Sequence, residues 1–224
     1  MYLLRGRASD PDTDRATTAR MVDVAADGEA GVRAWSPHRQ VAFGRRDARA
    51  DGYAAARAAA RERGFRPVER DVGGRAVAYD GGVVAVAHAV PVGGERDIAA
   101  RYESATATLE SALSSLGATV ERGEPPNAFC PGQHSLRVPD GGKVAGVAQR
   151  VRRDAALVGC CVLVRTDPAL VDAFDAVYAP LDVPFARDSV GSVAAAGGPD
   201  DPEAVARALE AAFSPDPDRI ERVD

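Results

Sequence analysis

A chain of 224 residues with 46% hydrophobic and 27% charged side chains can build one substantial core, and two full domains would be tight. Its net charge of −5 argues against a nucleic-acid binder, which would carry a basic face. Three cysteines, two of them adjacent, make no disulfide framework, and the scattered His38, His88 and His134 offer no zinc spacing, so no metal site is expected.

The N-terminal Met1-Tyr2-Leu3-Leu4-Arg5-Gly6-Arg7 turns polar too early for a signal peptide. No apolar run approaches the length of a membrane span, so the expected setting is a reducing cytoplasm with free thiols. A helix is predicted over Thr13–Ala26, with Asp12, Thr13 or Asp14 available to cap it. Gly31–Trp35 and Gln40–Gly44 alternate as two strands, and the second runs into Arg45-Arg46-Asp47. The alanine-rich stretch from Tyr53 reads as a helix stopped by Gly64. In Glu69–Asp80 a Gly73-Gly74 pair within strand-like sequence signals a bend where a ligand or another chain nears the backbone.

Asp80-Gly81-Gly82 is a hairpin-type turn into Val83–Val90, an apolar strand consistent with burial on both faces. His88 inside it reads as a satisfied core or pocket histidine rather than a base. After a loop over Pro91–Arg96, Ile98–Leu116 carries the clearest helical periodicity, ended by Gly117. A short strand at Thr119–Gly123 leads through Pro125-Pro126 to Cys130-Pro131-Gly132, a constrained turn that favours an accessible thiol. Ser135–Val138 and Val144–Ala148 read as strands joined by a turn at Pro139–Gly142. Cys160 and Cys161 sit in a buried strand as small hydrophobes. Helices follow from Asp167-Pro168 and over Pro202–Phe213, and the terminal Pro-Asp repeat is expected to fray. The whole is expected to be α+β: a single mixed, largely antiparallel sheet flanked by helices, in one domain.

Of 28 basic residues only Lys143 is a lysine. A lysine is a slender point charge, whereas an arginine is a broad planar fork, so a narrow slot facing one oxygen can use the first alone. The strand, turn and strand from Ser135 bring Lys143 back beside the loop bearing Cys130. A thiol near an ammonium is a route to an activated nucleophile.

The segment CPGQHSLRVPDGGKVAGVAQRVRRDAALVGCCVLV resembles the signature of the lipoate–protein ligase, octanoyltransferase and biotin ligase superfamily. The CPG before the lysine strand is closest to the branch that moves octanoyl or lipoyl groups through a cysteine thioester. Arg70, Gly73, Gly74, Ala76 and Val77 match that family's acyl-wrapping loop. Val72 and Arg75 depart from it, where the family usually has serine and, in ligases, a third glycine. Phe43-Gly44-Arg45-Arg46-Asp47 is similar to a strand whose glycine permits close approach to the ligand, and Tyr178–Phe185 with Ser189–Val193 resembles an end-of-domain segment. The likeness covers most of residues 13–195.

The resemblance implies the ligase catalytic fold and a set of site residues. Cys130 would be the nucleophile and Lys143 the carbonyl-holding cation, with Arg70, Gly73, Gly74, Ala76, Val77, Gly146 and Ala148 binding substrate. It implies acyl transfer from a donor carrier to a lysine of a lipoyl-domain protein, without a cofactor. Partners would be 2-oxoacid dehydrogenase subunits, or glycine cleavage H protein as donor or acceptor. A second implied reading is an ATP- and Mg-dependent lipoate–protein ligase, in which Cys130 is incidental; the chain ends too soon to carry the accessory module such ligases often need. A third is a non-catalytic protein that binds lipoyl domains.

Overall fold

The computed structural model describes residues 1–70, 72–93 and 98–223. Eleven strands and five helices are seen among them: β1 (Tyr2–Arg5), α1 (Pro11–Ala26), β2 (Gly31–Trp35), β3 (Gln40–Phe43), α2 (Tyr53–Glu62), β4 (Arg66–Glu69), β5 (Val77–Tyr79), β6 (Val83–Pro91), α3 (Ile98–Ser115), β7 (Glu121–Arg122), β8 (Ser135–Arg137), β9 (Lys143–Val151), β10 (Ala155–Leu163), α4 (Pro168–Tyr178), α5 (Pro202–Phe213) and β11 (Arg219–Arg222). Of the loop expected at Pro91–Arg96, Pro91 closes β6 and positions 94–96 lie outside the described residues.

Eight strands form the main sheet, in the order β11-β1-β2-β6-β10-β9-β8-β7. The two pairings of β1 are parallel and the others antiparallel, so the α+β class with a mixed, largely antiparallel sheet holds. A second sheet of three strands, β4-β3-β5, stands beside it. β2 and β3, adjacent in sequence, therefore belong to different sheets. For the same reason Asp80-Gly81-Gly82 passes the chain from one sheet to the other instead of closing a hairpin ladder. An Asx turn shapes it, with the Gly82 N–H donating to Asp80 Oδ1 at 2.7 Å.

Alternation along β10 sorts the core. Cys160, Val158 and Val162 pack with α3 and α5 on one face, while Cys161 and Leu163 meet α4 and the small sheet on the other. On that second face, α1 covers the β1, β6 and β10 end through Met21, Val22 and Ala25. Asp10, rather than Asp12, Thr13 or Asp14, caps α1, and its side chain accepts from the Asp12 and Thr13 N–H groups. Asp14 is instead buried in an ion pair with the fully buried Arg33 of β2, tying helix to sheet. Beyond the Pro-Asp repeat expected to fray, Arg219–Arg222 pairs in parallel with β1. Its register partners are Tyr2–Arg5, a strand not anticipated from the sequence.

No helix among the described residues is long and apolar enough to cross a membrane.

Candidate active site

Between α1, the small sheet and strands β6, β9 and β10 lies a cavity of about 310 Å³, within the range of small-molecule sites. Small side chains keep it open. Ala85 and Ala87 of β6, and Gly146, Ala148 and Gly159 of β9 and β10, all line it. Trp35 and Leu157 contribute apolar surface, and Cys130 and Lys143 both reach it.

The cysteine loop is pinned by its backbone. Cys130 holds φ +42°, in the left-handed region that non-glycine residues rarely adopt. Such a conformation persists only when its surroundings over-determine it. Here the Cys130 N–H donates to the Tyr178 hydroxyl at 2.6 Å, and that hydroxyl donates to the Ala76 carbonyl at 2.8 Å. Tyr178, at the end of α4, is thus a strut between the cysteine loop and the glycine loop. From the other side, Lys143 Nζ donates to the Cys130 carbonyl at 2.8 Å.

Lys143 is 1% exposed. Its ammonium also donates to the Phe129 carbonyl at 3.2 Å and to both Glu124 oxygens at 3.0 and 3.2 Å. A buried cation needs such a partner, and Glu124 supplies the opposite charge. Gly146 gives the stem room: a Cβ there would lie 3.0 Å from Lys143 Cε. Gly142 and Gly191 let the 190–192 segment close on the same strand, where the Gly191 N–H donates to the Lys143 carbonyl at 2.9 Å.

The cation touching the sulfur is Arg70, with its Nη2 at 3.2 Å from Sγ. Sequence reasoning had paired the thiol with the Lys143 ammonium; that ammonium grips the cysteine's carbonyl instead. Arg70 Nη2 also donates to the Arg75 carbonyl at 2.7 Å. Gly74, at φ +94°, leaves the space in which this pair forms. A Cβ there would stand 2.6 Å from Sγ and 2.7 Å from Arg70 Nη2.

Arg70, Gly74, Val77, Gly146 and Ala148 therefore line the same cavity as Cys130 and Lys143. Gly73 and Ala76 do not line it: Gly73 lies near the Gln149 carbonyl, and Ala76 is buried behind, receiving the Tyr178 hydroxyl. Gly44 makes its close approach to the Gly74 carbonyl, 2.0 Å from where a Cβ would sit. The Arg75 departure has a partner as well, since its guanidinium pairs at 3.0 Å with the fully buried Asp47 of the Gly44–Asp47 turn. His88 points away from the cavity, edge-on to Phe213 at 5.6 Å, with burial pushing it down to about 4. Glu124 and Tyr178 were missed in the sequence. Only the turn-forming prolines after the first and the Tyr-Ala-Pro setting of the second mark them.

Chemically, the cavity offers the Cys130 sulfur, a slender buried ammonium bonded to that residue's carbonyl, and an apolar recess; the Cys160 and Cys161 thiols also line it, but burial pushes both up and keeps them protonated. Among the described residues no cluster of His, Cys, Asp and Glu could hold a metal ion.

A family model described as the lipoyl protein ligase A/B catalytic domain matches residues 10–214. Over 139 residues the chain is 34% identical to an octanoyl-[GcvH]:protein N-octanoyltransferase of Exiguobacterium sibiricum, covering 60% of this chain and 49% of that protein. It is 30% identical over 145 residues to a lipoyl-[GcvH]:protein N-lipoyltransferase of Listeria monocytogenes, covering 64% and 49%. The chain spans about half the length of the curated relatives it matches. Among solved structures, a lipoate–protein ligase A bound with ATP superposes with a TM-score of 0.74 at 21% identity, covering 100% of this chain and 87% of that one. The bipartite lipoate protein ligase of Thermoplasma acidophilum gives 0.71 at 19%, covering 100% and 86%; both likenesses are of fold.

Proposed function

The chain belongs to the lipoyl protein ligase A/B catalytic-domain family, and we propose that within it the chain is a cysteine-dependent acyltransferase. It moves an octanoyl or lipoyl group from an acylated carrier protein of the GcvH type to a lysine of a lipoyl-domain protein. Cys130 Sγ attacks the acyl carbonyl carbon. The C–S bond forms, the donor's C–N bond breaks, and the freed lysine amine takes up a proton from solvent, which acylation of the acceptor amine later returns. The acceptor's lysine, as the neutral amine, then attacks the thioester carbon; C–N forms, C–S breaks, and the sulfur is restored. One amide replaces another, so the exchange needs no ATP overall.

Lys143, releasing one of the four oxygens it now holds, and neighbouring backbone N–H groups hold the carbonyl oxygen as it turns into an oxyanion, a stabilisation usually worth orders of magnitude in rate. The cavity along Ala85, Ala87 and Gly159 takes the aliphatic tail. The observation that carries the reading is the shared cavity: the Cys130 sulfur and the Lys143 ammonium border one apolar recess, and the ammonium bonds the cysteine's own carbonyl. Relatives named as octanoyl- and lipoyltransferases support it.

The ATP-dependent ligase is the second reading, favoured by the fold shared with an ATP-bound ligase. It leaves the placement of Cys130 in the cavity without a purpose. Incubation with octanoylated GcvH and an unmodified lipoyl domain, with and without ATP and Mg, separates the two. The transferase labels the acceptor without nucleotide. Labelling only with free lipoate or octanoate plus ATP replaces this reading with the ligase.

A further inference from the structure

The site contains a charge that acyl transfer by Cys130 and Lys143 leaves unexplained. Arg70 is half-buried at the cavity wall, and its Nε–H is buried with no hydrogen-bond partner. Among the described residues no carboxylate lies in ion-pair range of it; its recorded partners are the Arg75 carbonyl and the Cys130 sulfur. A guanidinium withdrawn from water calls for an anion. The groups packed around it narrow the choice. Burial pushes the Tyr79 and Tyr178 hydroxyls up, and the Cys161 thiol up to about 12, so all three stay neutral at ordinary pH. The Lys143 ammonium is already matched by Glu124.

We propose that Arg70 is the counter-ion that holds Cys130 as a thiolate, so that the two cations of the site divide its work. Arg70 activates the sulfur, and Lys143 is left to meet the carbonyl oxygen. The assignment deepens the acyltransferase reading and rests on it for its purpose. The loop geometry fits the assignment. The pinned backbone of Cys130 aims the sulfur at the guanidinium, and only glycine at position 74 leaves the 3.2 Å contact open. The proton released when the pair forms leaves to solvent through the cavity.

Two measurements on the full chain test this, and neither needs an acyl donor. The first is the ultraviolet difference spectrum between the parent protein and Cys130→Ser at neutral pH. It is expected to show thiolate absorbance, and its absence overturns the proposal. The second is the rate of Cys130 alkylation by iodoacetamide against pH, mapped by peptide mass. In Arg70→Gln the rate at pH 7 is expected to fall about tenfold or more, and the half-plateau pH to rise. Arg70→Lys should recover part of the loss. A parent-like profile in Arg70→Gln overturns the assignment. Should that variant not fold, the difference spectrum still decides. Loss of acyl transfer with both results intact would count against the acyltransferase reading alone.

Discussion

At the scale of single residues, the slot around Lys143 makes the sharpest demand. Four oxygens, from Glu124, Phe129 and Cys130, converge on one ammonium at 2.8–3.2 Å. A guanidinium spreads its charge over a plane and cannot satisfy that cluster from the same stem. Lys143→Arg should therefore lower acyl transfer by about 100-fold or more while the charge is retained, as removal of an oxyanion donor does elsewhere. Steady-state transfer assays check this; near-parent rates would remove the argument from ammonium shape. That Lys143 and Cys130 border one cavity was legible in the chain, because one was the only lysine and the other preceded Pro-Gly in a turn at the right distance. The contact of Arg70 with the sulfur was not legible. It joins residues 60 apart, through a glycine loop whose shape depends on φ +94° at Gly74. Arg75 looked like a departure from pattern only because its partner, Asp47, lies 28 residues earlier.

At the scale of elements, helices were the readable part. Periodicity, Asp-Pro starts and glycine stops located α1, α2, α4 and α5 to within a few residues. Strand partners were harder, since the same alternation suits either of two sheets. Nothing in Gln40–Phe43 says that it leaves the main sheet to pair with Arg66–Glu69 and Val77–Tyr79. The C-terminal strand escaped notice because its four residues are all exposed, and exposure removes the hydrophobic pattern that announces a strand. Helix α1 is held to β2 by the buried Asp14–Arg33 pair, with the Arg33 guanidinium stacked 4.1 Å over the Trp35 ring. Removing one partner strands the other charge in the core, which typically costs about 3–5 kcal/mol. Asp14→Ala is expected to destabilise the fold by that order, read as a lower denaturant midpoint with an unchanged slope. A shift under about 1 kcal/mol would mean that water reaches Arg33 in the folded protein.

At the scale of the whole molecule, cores sit on opposite faces of one sheet, and the cavity that Cys130 and Lys143 border opens beside α1 and the small sheet. His88 belongs to the other face, against Phe213. Its imidazole is pushed down by burial from 6.5 to about 4, so between those values the unfolded chain binds the extra proton. Stability from this group is complete above pH 6.5 and is lost as the pH falls toward 4, to a limit of roughly 3 kcal/mol. Denaturant midpoints taken across that range should fall in the parent and fall less in His88→Gln. Equal acid limbs would assign the loss to other groups. The cavity itself was only partly foreseeable. The small residues of Val144–Ala148, in β9, suit a close-fitting wall, but the other sides come from α1, the small sheet and strands read only as buried.

The central claim is that the cavity's sulfur carries the acyl group. Intact-mass spectrometry of the protein mixed with octanoylated GcvH, without nucleotide, tests this most directly. The account predicts one octanoyl adduct that maps to Cys130, is discharged by an unmodified lipoyl domain, and is absent from Cys130→Ser. Transfer to the acceptor at the parent rate by Cys130→Ser, with no adduct in the parent, would contradict it.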